Sequence, residues 1–131
     1  YEGLHLTVVQ DKSVLGRLSN TASNIIKRNI DPFYGAPTVV IISSVEPVIE
    51  RLAYANAGCI AENMMLQATD AKIVSVIIRS AGAAVEKDTE LKKSLMIPEG
   101  FTALFSVAFG YPTSDEQPEK DLGITISTNR I

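Results

Sequence analysis

Residues 46–78 read EPVIERLAYANAGCIAENMMLQATDAKIVSVII, and two elements share the stretch. From Pro47 to about Ala71 the apolar residues Val48, Ile49, Leu52, Ala55, Ala57, Cys59, Ile60, Ala61, Met64, Met65 and Leu66 occupy more than one stripe of a helix. A helix apolar around most of its circumference is expected to be buried on several sides. Pro47 suits a first helical position, and Glu46 and Glu50 place negative charge at the positive end of the dipole. The run Ile73, Val74, Ser75, Val76, Ile77 and Ile78 has no polar alternation, which predicts a strand covered on both faces. A chain of 131 residues has little material to wrap both elements, so a subunit interface is expected here.

Composition narrows the possibilities. The length fits one domain, and 46% hydrophobic residues supply a core. A formal charge of −3 with scattered Lys and Arg argues against nucleic-acid binding. The lone cysteine, Cys59, sits in the apolar helix and reads as a buried thiol rather than a nucleophile, which suits a reducing compartment. No stretch reaches the roughly 18 uninterrupted apolar residues of a membrane span, and no charged-then-apolar leader opens the chain. A cytoplasmic protein without a membrane partner is the expectation.

Outward from the central stretch, Leu4 to Val9 reads as a strand. Asp11 is placed to cap a helix whose Val14, Leu15, Leu18, Ala22, Ile25 and Ile26 recur at helical spacing. Pro32, Gly35 and Pro37 make a loop, and Thr38 to Ile42 a central strand. Ser80 to Lys87, rich in small residues, predicts a loop whose backbone something approaches closely. Asp88 caps a short helix with Leu91 and Leu95. Pro98, Glu99 and Gly100 then turn into a strand from Phe101 to Phe109. After an acidic linker, Leu122 to Thr128 alternates Ile124 and Ile126 with Thr125 and Ser127, as a half-buried edge strand does. The expected order is β-α-β-α-β-α-β-β, an α+β or mixed α/β arrangement around one sheet.

Conventional catalytic signals are scarce, and no catalytic side chain is assigned. His5, the single histidine, reads as a structural strand residue with nothing nearby to complete a triad. No Cys/His spacing supports a metal, and no glycine-rich turn cradles phosphate. Glu62 and Asn63 in the middle of the helix read as an interhelical hydrogen-bonding pair, with ligand binding as the alternative.

Four ordered signatures carry a resemblance. They are Phe33 to Ile42 (FYGAPTVVII), Ala61 to Leu66 (AENMML), Ile97 to Gly100 (IPEG) and Val107 to Pro112 (VAFGYP). Together they resemble the nitroreductase family, flavoproteins that carry FMN at a dimer interface. The resemblance implies an α+β fold, a nitroreductase-like mixed sheet flanked by helices with the long central helix at a homodimer interface. It also implies one domain over residues 1–131, short of the family's N-terminal segment. The implied function is oxidoreduction by alternating half-reactions, FMN taking hydride from NAD(P)H and passing electrons to a nitroaromatic, quinone or similar small acceptor.

Carried over residue by residue, the resemblance places the flavin ring along Ile77, Ile78, Arg79 and Ser80. Relatives usually have glycine in this bend, and a Gly-x-Gly where this chain has Lys72 and Val74. Arg79 either places positive charge near the reduced ring or is a plain surface arginine. Glu2 stands at the family's strand-start Gln and is a flavin contact by that match. The family's Arg-Arg-Ser-x-Arg phosphate motif corresponds to residues upstream of Tyr1. Lys120 is the nearest later basic candidate and Arg130 the next. An incomplete portion of a working flavoprotein is favoured over a shortened, non-catalytic dimeric module that has lost flavin. A flavin-binding relative with different chemistry is a further alternative.

Overall fold

The computed structural model describes residues 3–45, 50–114, 123 and 126–131. Its elements are β1 (Leu4–Val9), α1 (Lys12–Ile26), β2 (Thr38–Val45), α2 (Glu50–Asp70), β3 (Val74–Ile78), α3 (Ser80–Lys87), α4 (Thr89–Ser94) and β4 (Phe101–Gly110). The sheet order is β1-β2-β4-β3, and each pairing is antiparallel. The expected α+β class is therefore present, with an antiparallel rather than mixed sheet among the described strands. Without polar alternation, β2 and β4 lie in the middle, as strands buried on both faces must.

Each face carries its own apolar layer. Val39, Ile41, Ile78 and Ala108 pack under α1 and α3 with Leu18, Ala22, Ala81, Ala84 and Val85. On the opposite face Ile42, Phe105 and Val107 pack against Ala57 and Ala61 of α2. The Asp11 carboxylate accepts from the N–H groups of Ser13 and Val14 and so starts α1, while Lys27 ends it in the left-handed conformation (φ 54°). Asp88 accepts from Leu91 N at 2.9 Å to start α4. It also receives a forked pair from Arg17, Nε to Oδ2 at 2.8 Å and Nη2 to Oδ1 at 2.6 Å, tying α1 to the α3–α4 corner.

Several expectations need correction. Residues 80–87 form a helix, not a loop, because an alanine-rich run has high helix propensity. The close approach expected there is real: it comes from β4. The β2–β4 register shifts between Ile42 and Ser43, leaving Leu104 without a cross-strand partner between Phe105 and Ala103. Gly82 lies on that bulge, so close that a Cβ on it would stand 2.1 Å from the Leu104 carbonyl oxygen. Glu86, one turn on, accepts from the Ala103 N–H at 2.8 Å and from Lys92 Nζ at 2.8 Å.

The central helix also differs from its reading. Among its described residues only the stripe of Ala53, Ala57, Ala61 and Ala68 is buried, while Leu52, Tyr54 and Leu66 are 52%, 51% and 60% exposed. Cys59 is exposed, not buried, because it lies off that stripe. Glu62 and Asn63 are likewise exposed, and Asn63 Nδ2 donates to its own helix at the Cys59 carbonyl, 2.7 Å away. Among the described residues the β3 run is an edge strand, paired with β4 alone, with Val74, Val76 and Ile77 exposed. The final strand expected at Leu122 to Thr128 falls largely outside the described residues, and 126–131 has no regular structure.

The bulge contact gives a direct test. Ala at Gly16, in α1 with nothing within 4 Å of its Cβ, should stabilise the fold by about 0.5–1 kcal/mol through helix propensity. Gly82→Ala carries the same propensity gain but must move backbone, and should destabilise by about 1–3 kcal/mol. Urea unfolding of the two variants checks the opposite signs.

Candidate functional site

The β3–α3 junction is built from both layers. Ile77 pairs with Val107, so its side chain lies on the α2 face, where it is 45% exposed beyond the reach of the alanine stripe. Ile78 points the other way and is buried with Ala81 beneath α3. The chain leaves the strand through Arg79 in ordinary right-handed helical geometry (φ −65°, ψ −39°), and α3 begins at Ser80. No residue of this bend needs glycine's freedom. Buried Ile78 and Gly82 fix the backbone on either side, while Arg79 is exposed and Ser80 half-buried.

The electrostatics are one-sided. No side chain caps the first turn of α3, and no acidic residue lies in it, so its N–H groups present a positive end. By contrast, carboxylates cap α1 and α4. No hydrogen bond or ion pair engages the Arg79 or Ser80 side chain among the described residues. The junction thus offers an apolar ledge, backbone donors, a hydroxyl and a cation.

The other expected contacts are not gathered by the described structure. Glu2 and Lys120 lie outside the described residues. Arg130 is exposed in the irregular stretch 126–131, and no described interaction joins it to the junction. His5 is half-buried, its ring edge-on to Phe101 with centroids 5.8 Å apart. No group of three or more His, Cys, Asp or Glu side chains is placed to hold a metal among the described residues. None of the described helices is long and apolar enough to cross a membrane.

Two open cavities flank the other end of β3, away from Ile77–Ser80. One, of about 820 Å³, lies on the α2 side between Met65, Leu66, Thr69, Ile73, Val74 and Pro112. The other, of about 360 Å³, lies between the loop at Phe33–Pro37 and Val74, Val76, Ala108 and Tyr111. That loop holds an organiser the sequence reading missed. Asp31 accepts from Ser19 Oγ (2.7 Å), Phe33 N (3.0 Å) and Gly35 N (2.7 Å), holding Tyr34 and Gly35 at φ 57° and 70°. An Asp three residues before an aromatic-Gly pair, here Asp31 before Tyr34 and Gly35, is the signal for such a turn.

Comparison with known proteins adds a family to this geometry. The model of the Nitroreductase family matches residues 5–111. A Bacteroides fragilis nitroreductase with bound FMN is 28% identical, with TM-score 0.77 over 99% of this chain and 78% of its own. A Desulfitobacterium hafniense nitroreductase with bound FMN is 21% identical, with TM-score 0.79 over 98% of this chain and 77% of that one. An FMN-dependent nitroreductase from Clostridium difficile is 23% identical, with TM-score 0.73 over 98% and 79%. The likenesses below 25% identity concern the fold alone. No curated protein matches.

Asp31 sets a pH dependence. Burial pushes its carboxyl up, but the hydrogen bonds from Ser19, Phe33 and Gly35 outweigh burial and hold it below the usual carboxylate range. A depressed native value means that its stabilisation is complete above the unfolded value near about 4 and is lost as pH falls through the native one. Asp31→Asn should therefore be less stable at neutral pH and lose less stability than the wild type on acidification, read by urea unfolding at stepped pH.

Proposed function

Because the chain belongs to the nitroreductase family, we propose that it is an FMN-dependent oxidoreductase. In this reading it moves electrons from NAD(P)H to a nitroaromatic, quinone or similar small acceptor in alternating half-reactions. The observation that carries this reading is the β3–α3 junction: an exposed Ile77 beside an uncapped helix start and a cation without a described partner. These donor types suit a flavin, whose ring is planar and apolar on its faces but rich in nitrogen and oxygen acceptors along one edge.

When bound, FMN supplies the hydride-accepting and electron-donating chemistry, which side chains do not offer. The protein's residues bind and orient. Ile77 offers a surface against which a ring face packs without water. The N–H groups at the start of α3 and the Ser80 hydroxyl would donate to the flavin's polar edge. Ile78, held under α3, fixes the backbone from which these groups project. Glu2, Lys120 and Arg130 complete the proposed set, the two cations toward the phosphate. Hydride transfer at the ring needs no side-chain nucleophile, so no triad is required.

A homodimer belongs to the same proposal. Leu52, Tyr54 and Leu66 on α2, with Ile77 on the same side of β3, form an exposed apolar surface on the α2 side of the sheet. A second copy against α2 covers it and excludes water from the neighbouring junction. The single domain proposed over residues 1–131 then works as half of a two-site assembly, and use of NAD(P)H suits a cytoplasmic setting.

Two measurements test these points. The protein expressed from its complete coding sequence should be yellow, release FMN on acid treatment and oxidise NAD(P)H with parallel-line kinetics against a quinone or nitroaromatic. A colourless protein that takes up no added FMN counts against the oxidoreductase. For assembly, Leu66→Asp should lower the mass by light scattering from dimer to monomer while leaving the far-UV circular dichroism unchanged, since Leu66 is exposed in the single chain.

A further inference from the structure

We infer that Arg79 makes the site prefer the reduced flavin over the oxidised one, an inference that rests on the FMN reading above. Its Cα is fixed between buried Ile78 and Ala81, so the side chain leaves the junction from a defined point. Its charge is not cancelled by the described carboxylates. The ion pairs described are Arg17–Asp88, Lys92–Glu86 and Lys93–Glu90. Glu86, the acid within α3, is occupied by Lys92 and the Ala103 N–H.

The chemistry makes this charge discriminating. NAD(P)H delivers a hydride, one proton with two electrons, to N5 of the ring and leaves as NAD(P)⁺. The oxidised ring is neutral, whereas the reduced ring with N1 unprotonated carries one negative charge spread over N1 and the adjacent carbonyl. A cation at the ring's edge attracts the reduced form and has little hold on the oxidised one. The positive end of α3 acts in the same direction. Stabilising the charge that hydride transfer creates favours the first half-reaction and tempers the driving force of the second.

The test separates this inference from the reading beneath it. Apoprotein prepared from the complete chain is titrated with oxidised FMN in air and with dithionite-reduced FMN under anaerobic conditions, for the wild type, Arg79→Gln and Arg79→Lys. Arg79→Gln should weaken reduced FMN by about tenfold and oxidised FMN by less than about threefold. Arg79→Lys should keep most of the preference, and added salt should shrink it in the wild type but not in Arg79→Gln. If wild type binds FMN and Arg79→Gln leaves the ratio of the two affinities unchanged, the inference is overturned while the flavin reading stands. If the wild type binds neither form, both fall.

Discussion

The seating of Gly82 on the Leu104 carbonyl is the contact on which the rest of the arrangement depends. The bulge in β4 inserts a residue without a cross-strand partner, and only a helix lacking a side chain at that point can lie directly against it. With α3 held there, Glu86 reaches back to the Ala103 N–H at the bulge. Asp88, at the far end of α3, is then placed to start α4 and to take the fork from Arg17 of α1. At the near end the same seating sets where β3 must stop. Ile78 goes under the helix, Ile77 stays on the other face, and Arg79 is left outside.

The opposite face is governed by a different economy of size. An alanine stripe lets α2 lie close on Ile42, Phe105 and Val107, but small side chains spread cover over little of the sheet. The consequence is the exposed apolar surface on both sides of that stripe. Leu52, Tyr54 and Leu66 remain uncovered on the helix, as does Ile77 on the sheet beside it. Surface of this kind and the candidate site therefore share a boundary. Whatever covers α2 also controls water at Ile77.

Much of this was legible in the sequence, for physical reasons that also mark the limits. Strands β1, β2 and β4 and the capped helices α1 and α4 follow from local signals: short apolar runs, β-branched in β2, and Asp11 and Asp88 before helical periodicity. Residues 80–87 were misread because small residues signal both an exposed backbone and a helix packed tightly against a sheet. What distinguishes the two is a bulge some twenty residues later in the chain. The burial of Cys59, Glu62 and the β3 run was overestimated because periodicity reports how apolar an element is, not whether its own chain covers it. The junction at Ile77–Ser80 was found through the order of four short signatures, not through its chemistry, since no titratable group there announces it. The Asp31 turn is purely local and was available from Asp31, Tyr34 and Gly35.

The backbones at Lys72 and Arg79, on either side of β3, are physically unlike, which bears on how tolerant the site is. Lys72, between α2 and β3, sits at φ 58°, a conformation in which a Cβ costs roughly 1–2 kcal/mol. It is kept because the Lys72 N–H bonds to the Thr69 carbonyl and the Ile73 N–H to the Ala68 carbonyl, closing the end of α2 and aiming the chain into the strand. That strain is confined to a helix terminus, away from the junction. Arg79 is the reverse case: its backbone is in relaxed right-handed helical geometry, so the position imposes no backbone strain on a side chain. A backbone that accepts any residue at this point leaves the choice of residue to what the site must attract. In this chain the choice is a cation set beside the positive end of a helix, an arrangement that suits a group gaining negative charge.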